Sequence, residues 1–224
     1  MSVHASKVLP ESSIILALSG IIGAGKTTFA DKLGEKLGWK VYHELGPDEN
    51  DLRLFYADMK KQSFVMQIRL LTKRLRQYSE MIGARVPAIV DRTLEEDTVF
   101  ARVLRDGGNM TEYEYETYLG LAGFVHDSMR RPTVLIHLDV PPEVALERIG
   151  RRGRTCETGI TIEYLRELWK AYEVFLDEIS LSVPVIRVDW TRFADVGEVI
   201  EMVMEELRSP TRTARTVLSP KNVH

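Results

Sequence analysis

The stretch that most narrows what this chain can become is residues 20–28, G-I-I-G-A-G-K-T-T. It fits the pattern G-x-x-x-x-G-K-[ST], with Gly20, Gly25, Lys26 and Thr27 at the four specified positions. Glycine at such positions lets backbone N–H groups turn inward on an anion with no Cβ in the way. Lys26 can then reach the outer phosphates of a nucleoside triphosphate as a point charge, and Thr27 can place its hydroxyl on Mg²⁺. The flanks decide whether the loop is more than a Gly-rich turn. Before it runs Ile14-Ile15-Leu16-Ala17-Leu18, apolar throughout, as a buried parallel strand is. After it, Phe29, Ala30, Leu33 and Leu37 recur at helical spacing. Gly23, Ala24, Gly25, Lys26, Thr27 and Thr28 are therefore the candidate triphosphate contacts.

Whether such a loop serves a polymer, a membrane or a small molecule is partly a question of charge. The net charge of -3 argues against a general nucleic-acid or membrane-surface binder. No apolar run approaches the roughly 20 residues of a membrane span, and the opening M-S-V-H-A-S-K lacks the apolar core of a signal peptide. One cysteine, Cys156, excludes an internal disulfide and suits a reducing compartment, so a cytoplasmic location is expected. At 224 residues the chain reads as one domain over 1–208, followed over 209–224 by a flexible basic tail with Arg212, Arg215 and Lys221.

Along the chain, strand patterns at 14–18, 39–44, 86–90, 133–138 and 184–188 alternate with helical ones. The helices are expected over 27–37, one long stretch 52–82, 94–105, a segment opened by the capping box of Thr111 and Glu114, one after Pro141-Pro142-Glu143, 161–181 and 195–207. This alternation implies an α/β fold: a five-stranded parallel sheet, helices on both faces and right-handed crossovers. Residues 148–159 form a basic, Gly-containing connection.

Ligands of open α/β sheets bind beyond the carboxyl ends of the strands. That selects Glu44 after the second strand, Asp91 and Arg92 after the third, and Asp139 after the fourth. An acid facing nucleotide phosphates suits Mg²⁺, and a second acid could take a hydroxyl proton. Glu44 alone could equally be a solvated loop acid. Arg148, Arg151, Arg152 and Arg154 form a cluster that repels itself unless an anion joins it, which suits a lid over phosphates; a solvated helix end complementing the macrodipole is the plain alternative. Tyr56, Gln67 and Arg74 fall near one face of the long helix, and a glutamine amide can read a base edge.

Several ordered motifs resemble the deoxyribonucleoside kinase family, which includes deoxycytidine, deoxyguanosine and deoxyadenosine kinases. They are G-x-x-G-x-G-K-T over 20–27, the strand-end Glu44, F-Y-x-D-M-K-x-x-S-F-x-x-Q over 55–67, D-R-T over 91–93, R-x-x-R-R-G-R-x-x-E-x-x-I over 148–160 and E-Y-L over 163–165. The resemblance implies a P-loop kinase fold with an Arg-rich lid, ATP as donor, Mg²⁺ as cofactor and a homodimer packed through the long helices. It implies Glu44 as the base for the 5′-hydroxyl, with Arg92 at the same hydroxyl region and Lys26 on the phosphates. It implies Thr27 and Asp91 at the metal, Tyr56 and Glu157 on the sugar 3′-hydroxyl, and Gln67, Arg74 and Asp97 at the base edge. Either Glu96 or Asp97 could face the base, and Met66 stands where an aromatic is expected beside Gln67. Arg148, Arg152 and Arg154 would meet the phosphates, and Phe193 the adenine of ATP. Arg74 with Asp97 is similar to the deoxycytidine and purine branch, so a purine deoxynucleoside is the expected acceptor. A nucleoside monophosphate kinase of thymidylate kinase type would need another basic group where Glu44 stands. A non-catalytic relative would lack Lys26, Glu44 or Arg92, and all three are present.

Overall fold

The apolar run before the phosphate loop becomes β1 (Ile15–Ser19), buried at every position and central in the sheet. The computed structural model describes residues 14–154, 157, 159–192, 195–208 and 215–218. β2 (Lys40–Tyr42) and β3 (Ala88–Asp91) lie on one side of β1, and β4 (Val134–Asp139) and β5 (Val185–Asp189) on the other. All neighbours pair in parallel, with Leu16 opposite both Ile89 and Val134. The chain therefore leaves β1 in one direction and later returns to its other flank. That makes the carboxyl end of β1 the switch point at which such sheets bind ligands.

The five expected strands are all present, and a sixth is added. β6 (Arg215–Leu218) pairs in parallel with β5, within the stretch expected to be a tail. Its four residues satisfy the open edge of β5, a gain that a short run shows only once its neighbour is known. The rest of that stretch lies outside the described residues.

Helices cover the sheet. α1 (Lys26–Leu37) packs Phe29, Ala30 and Leu33 inward, and Gly38 closes it at φ 68°. The single long helix expected over 52–82 is two, α2 (Glu49–Ala57) and α3 (Met59–Ala84). Asp58 breaks the path at φ −156°, and its carboxylate accepts from Lys61 N–H at the start of α3. A short carboxylate that caps backbone N–H groups competes with helix continuation, and here the cap prevails. Asp51 bonds Arg69 at 2.7 Å and Lys73 at 2.9 Å, fixing α2 against α3.

α4 (Asp97–Asp106) starts later than its apolar pattern suggests, because residues 93–96 form a turn. α5 (Glu112–Ser128) opens with the expected Thr111–Glu114 capping box. α6 (Pro142–Arg152) and α7 (Ile162–Ile179) flank the basic connection, and α8 (Val196–Arg208) follows β5. Leu16, Leu18, Phe29, Ile89, Leu135 and Ile136 form the centre of the core. No helix among the described residues is long and apolar enough to cross a membrane.

Candidate active site

The donor side is built from backbone. Gly20 stands at φ 144°, and a Cβ there would meet the Leu138 carbonyl at 2.8 Å. Gly23 stands at φ 84°, where a Cβ would meet the Ala145 carbonyl at 2.6 Å. Only glycine permits both the turn and the close approach. α1 (N-cap Gly25) has no side-chain cap, so no side chain takes its first N–H groups, as an anion site at a helix N-terminus requires. Lys26 is buried and donates to the carbonyls of Gly20 (2.9 Å) and Ile21 (3.2 Å). Burial and then Arg92 push its pKa down, against Glu44, Asp91 and Glu96. Thr27 Oγ1 donates to Asp91 Oδ2 at 2.7 Å, which joins the first strand-loop unit to the end of β3. Asp91 Oδ1 is buried and has no hydrogen-bond partner among the described residues.

The acceptor side is built from charged side chains that converge under the same strand ends. Glu44 Oε1 accepts from Arg92 Nε at 2.8 Å and from Arg74 Nη2 at 3.1 Å. Burial alone would raise the Glu44 pKa, but Arg92, Lys26 and Arg74 together hold it at about 2. The carboxylate is therefore ionised at any physiological pH. Both arginines use Oε1, and Oε2 takes no hydrogen bond among the described residues. Arg74 is buried on α3 and also pairs with buried Asp97 at the start of α4. One guanidinium thus spans Glu44 and Asp97. Gln67 lies two turns before Arg74 on the same helix and is buried beside Met66.

Arg92 carries the acceptor side's least ordinary backbone, φ 81°, a region costly for a residue with a Cβ. Its guanidinium bonds Glu44, Glu96 and the phenol of Tyr172, and stacks 4.6 Å over the Phe100 ring. Burial disfavours its charge, yet Glu44, Tyr172 and Glu96 hold its pKa well above the ordinary arginine value. Of the pair left open from sequence, Asp97 meets Arg74 and Glu96 meets Arg92. Tyr172 is the residue that sequence reasoning passed over, and for Glu96 it offered the base edge rather than Arg92 and Tyr172 as neighbours. A signal existed: Thr93-x-x-Glu96 is a capping-box spacing, and the two exchange bonds, Glu96 N–H to Thr93 Oγ1 and Thr93 N–H to Glu96 Oε2.

The basic connection is arranged differently. Arg152 bonds Glu157 with Nε at 3.1 Å and also through Nη2, and Arg154 approaches the same carboxylate at 3.9 Å. Arg148 donates to the carbonyls of Ala24 (3.0 Å), Trp190 (2.7 Å) and Thr191 (3.2 Å), tying the phosphate loop to the turn after β5. Among the described residues Arg151 pairs only along its own helix, with Glu147. Tyr56 is half exposed, edge-on to Phe55. Asp139, a strand-end acid, is drawn aside by Arg187 at 2.8 Å and Trp169 at 3.3 Å. Phe193 lies outside the described residues.

A nucleotide loop, a partner acid for its threonine and a buried carboxylate–arginine cluster opposite form a phosphoryl-transfer site with a small-molecule acceptor. Residues 16–211 match the family model described as deoxynucleoside kinase. The chain belongs to the deoxynucleoside kinase family. This kinase is 43% identical over 194 residues to a deoxyadenosine kinase of Dictyostelium discoideum, covering 87% of this chain and 79% of the relative. It is 32% identical to a deoxyguanosine kinase of the same organism, over 90% of this chain and 73% of the relative. Its fold matches that of a deoxyadenosine kinase from M. mycoides, whose structure holds dCTP, with a TM-score of 0.74 and 34% identity, over 88% of this chain and 100% of that one. As a deoxyribonucleoside kinase it transfers the γ-phosphoryl group of ATP to the 5′-hydroxyl of a deoxyribonucleoside.

Proposed function

We propose that the preferred acceptor is a purine deoxyribonucleoside, deoxyadenosine first and deoxyguanosine next, with deoxycytidine a weaker substrate. The observation that carries this is the Arg74 bridge, which links the Asp97 carboxylate to the Glu44 carboxylate. It makes the base end and the 5′ end of the acceptor pocket one charged frame. The likeness to a relative named deoxyadenosine kinase supports the same base. Gln67, Arg74 and Asp97 would read the base edge. Met66 in place of a rigid aromatic widens the room beside Gln67, which favours the larger purine. Tyr56 and Glu157 would close on the sugar 3′-hydroxyl.

Glu44 is the base in this reading. A carboxylate held at about pKa 2 is a weak base, so it takes the 5′-hydroxyl proton late, once the O5′–Pγ bond is forming and the bond to the leaving β-phosphate oxygen is breaking. Arg92 steadies the hydroxyl region, and Lys26 neutralises the phosphates. Asp91 fits Mg²⁺, because its buried Oδ1 lacks a partner while Oδ2 faces the Thr27 hydroxyl; Thr27 and Asp91 would hold the ion. When bound, the ion supplies charge neutralisation on the phosphates. Arg148, Arg152 and Arg154 would meet the donor phosphates when the lid closes, and Phe193 would lie near adenine.

Two further elements belong to the same reading. The enzyme acts in the cytoplasm, which its single cysteine suits. It works as a homodimer, and Leu121 and Phe124 exposed on α5 supply an apolar face for a second copy. Sedimentation equilibrium at micromolar protein tests the dimer, and a monomer would contradict it. For the substrate, purified protein is assayed with ATP, Mg²⁺ and each of the four deoxynucleosides. The highest kcat/KM on deoxyadenosine is expected; the highest on thymidine or deoxycytidine overturns the purine assignment.

A further inference from the structure

Glu96 has no part in the roles above, yet it is fully buried and its carboxylate takes four hydrogen bonds. Oε2 accepts from Thr93 N–H at 3.3 Å. Oε1 accepts from the backbone N–H of Gly20 at 3.4 Å, from Arg92 Nη1 at 3.1 Å and from the Tyr172 hydroxyl. The Tyr172 oxygen in turn accepts from Arg92 Nη1 at 2.6 Å. One carboxylate oxygen therefore touches both the first glycine of the phosphate loop and the guanidinium on the acceptor side. The Gly20 contact is at the long limit for such a bond, so the tie to Arg92 and Tyr172 is the stronger of the two.

Packing alone does not ask for a carboxylate at this place, since burying one is costly unless every partner is supplied. What the charge supplies is orientation. Arg92 sits at φ 81°, a conformation that persists only where the surroundings over-determine it. Nε is fixed by Glu44, Nη1 by Glu96 and Tyr172, and the plane by Phe100. Among the described residues Nη2 makes no hydrogen bond, and it is the part of the fork left for a ligand.

We propose that Glu96, clamped by Tyr172, is a positioning residue that aims Nη2 of Arg92 at the acceptor and holds it in register with the phosphate loop through Gly20. The inference rests on the reading that Arg92 contacts the acceptor's hydroxyl region. Glu96 acts through Arg92, so its effect must disappear when Arg92 is gone, which a purely structural role would not require.

The test is a double-mutant cycle of Glu96→Gln and Arg92→Ala, read as kcat/KM for the deoxynucleoside, with ATP affinity and melting temperature measured alongside. Glutamine keeps the shape but turns an N–H toward at least one of the donors now satisfied. Glu96→Gln is expected to lower kcat/KM about tenfold or more, the worth of one charge-assisted hydrogen bond. ATP affinity should stay within about threefold, as the long Gly20 bond is weak. In the Arg92→Ala background the same change should cost no more than about threefold. Tyr172→Phe removes only the hydroxyl and serves if Glu96→Gln does not fold; a loss of about fivefold is expected. Wild-type kcat/KM in both Glu96→Gln and Tyr172→Phe overturns the proposal, as does a Glu96→Gln loss that multiplies in full onto Arg92→Ala. Wild-type activity of Arg92→Ala overturns the underlying reading of Arg92 itself.

Discussion

Two arginine–carboxylate groups of this chain are organised in opposite ways. On the acceptor side, the Arg74 and Arg92 side chains are 8% and 2% exposed and share Glu44, Asp97 and Glu96. In the basic connection, Arg152 and Arg154 are 37% and 60% exposed and, among the described residues, share only Glu157. The first group has paid its desolvation during folding, so its geometry is set before any ligand arrives. In the second the guanidiniums remain open to solvent, so in the proposed function they would exchange Glu157 for phosphate at a smaller cost. In the proposed function the first group would be a fixed acceptor frame and the second an exchangeable donor clamp, as a kinase with a closing lid requires.

The largest effect that could break this contrast is expected at Arg92. Arg92→Ala should lower kcat/KM by about 10²–10³, the scale for losing one preorganised charge-stabilising donor. It should also cost about 3–5 kcal/mol of stability, because the buried carboxylates Glu44 and Glu96 each lose a charged partner. Steady-state kinetics and urea denaturation read the two effects, and a fully stable variant would mean that the frame is not built around Arg92. Arg154→Ala should separate the two: about tenfold lower kcat/KM for ATP, with stability changed by no more than about 0.5 kcal/mol. A large loss of stability there would erase the difference between frame and clamp.

Acid provides a smaller effect with a definite sign. The Glu44 pKa is depressed from its ordinary value near 4.5 to about 2, so the stability it contributes is fully present above 4.5 and is lost as pH falls through 2. The stability difference between the native enzyme and Glu44→Gln, measured by urea titration, should therefore shrink steadily from pH 5 toward about pH 2.5. A difference independent of pH would show Glu44 to be unpaired. The smallest effect belongs to Arg151, whose pair among the described residues is Glu147 on the exposed face of α6. Arg151→Ala should leave kcat and KM within about twofold and stability within about 0.5 kcal/mol.

Much of this frame was legible in the chain because it follows local rules. The apolar run, the glycines and the helix after them specified β1, the loop and α1 without any distant contact. Thr111 with Glu114 announced α5, and the acids after β2 and β3 appeared where a parallel sheet exposes them. The rest depended on competition that a sequence does not display. Asp58 could have pointed to solvent within a helix; capping Lys61 N–H splits α2 from α3. Glu96 stood beside Asp97 as an alternative at the base edge, and only the folded contacts with Arg92 and Tyr172 separate the two. Asp139 occupies a strand end like Asp91, but Arg187 on the neighbouring strand claims it. Residues 215–218 became a strand only because β5 offered an edge.

The central claim is that the buried frame presents an ionised Glu44 to the acceptor hydroxyl while the loop holds ATP independently. Pre-steady-state phosphoryl transfer by Glu44→Gln, with ATP affinity measured on the same protein, tests it most directly. The transfer rate should fall by about 10²–10⁴, the range for a lost general base, with ATP affinity within about threefold of the native enzyme. Transfer at the native rate with ATP bound would contradict the account.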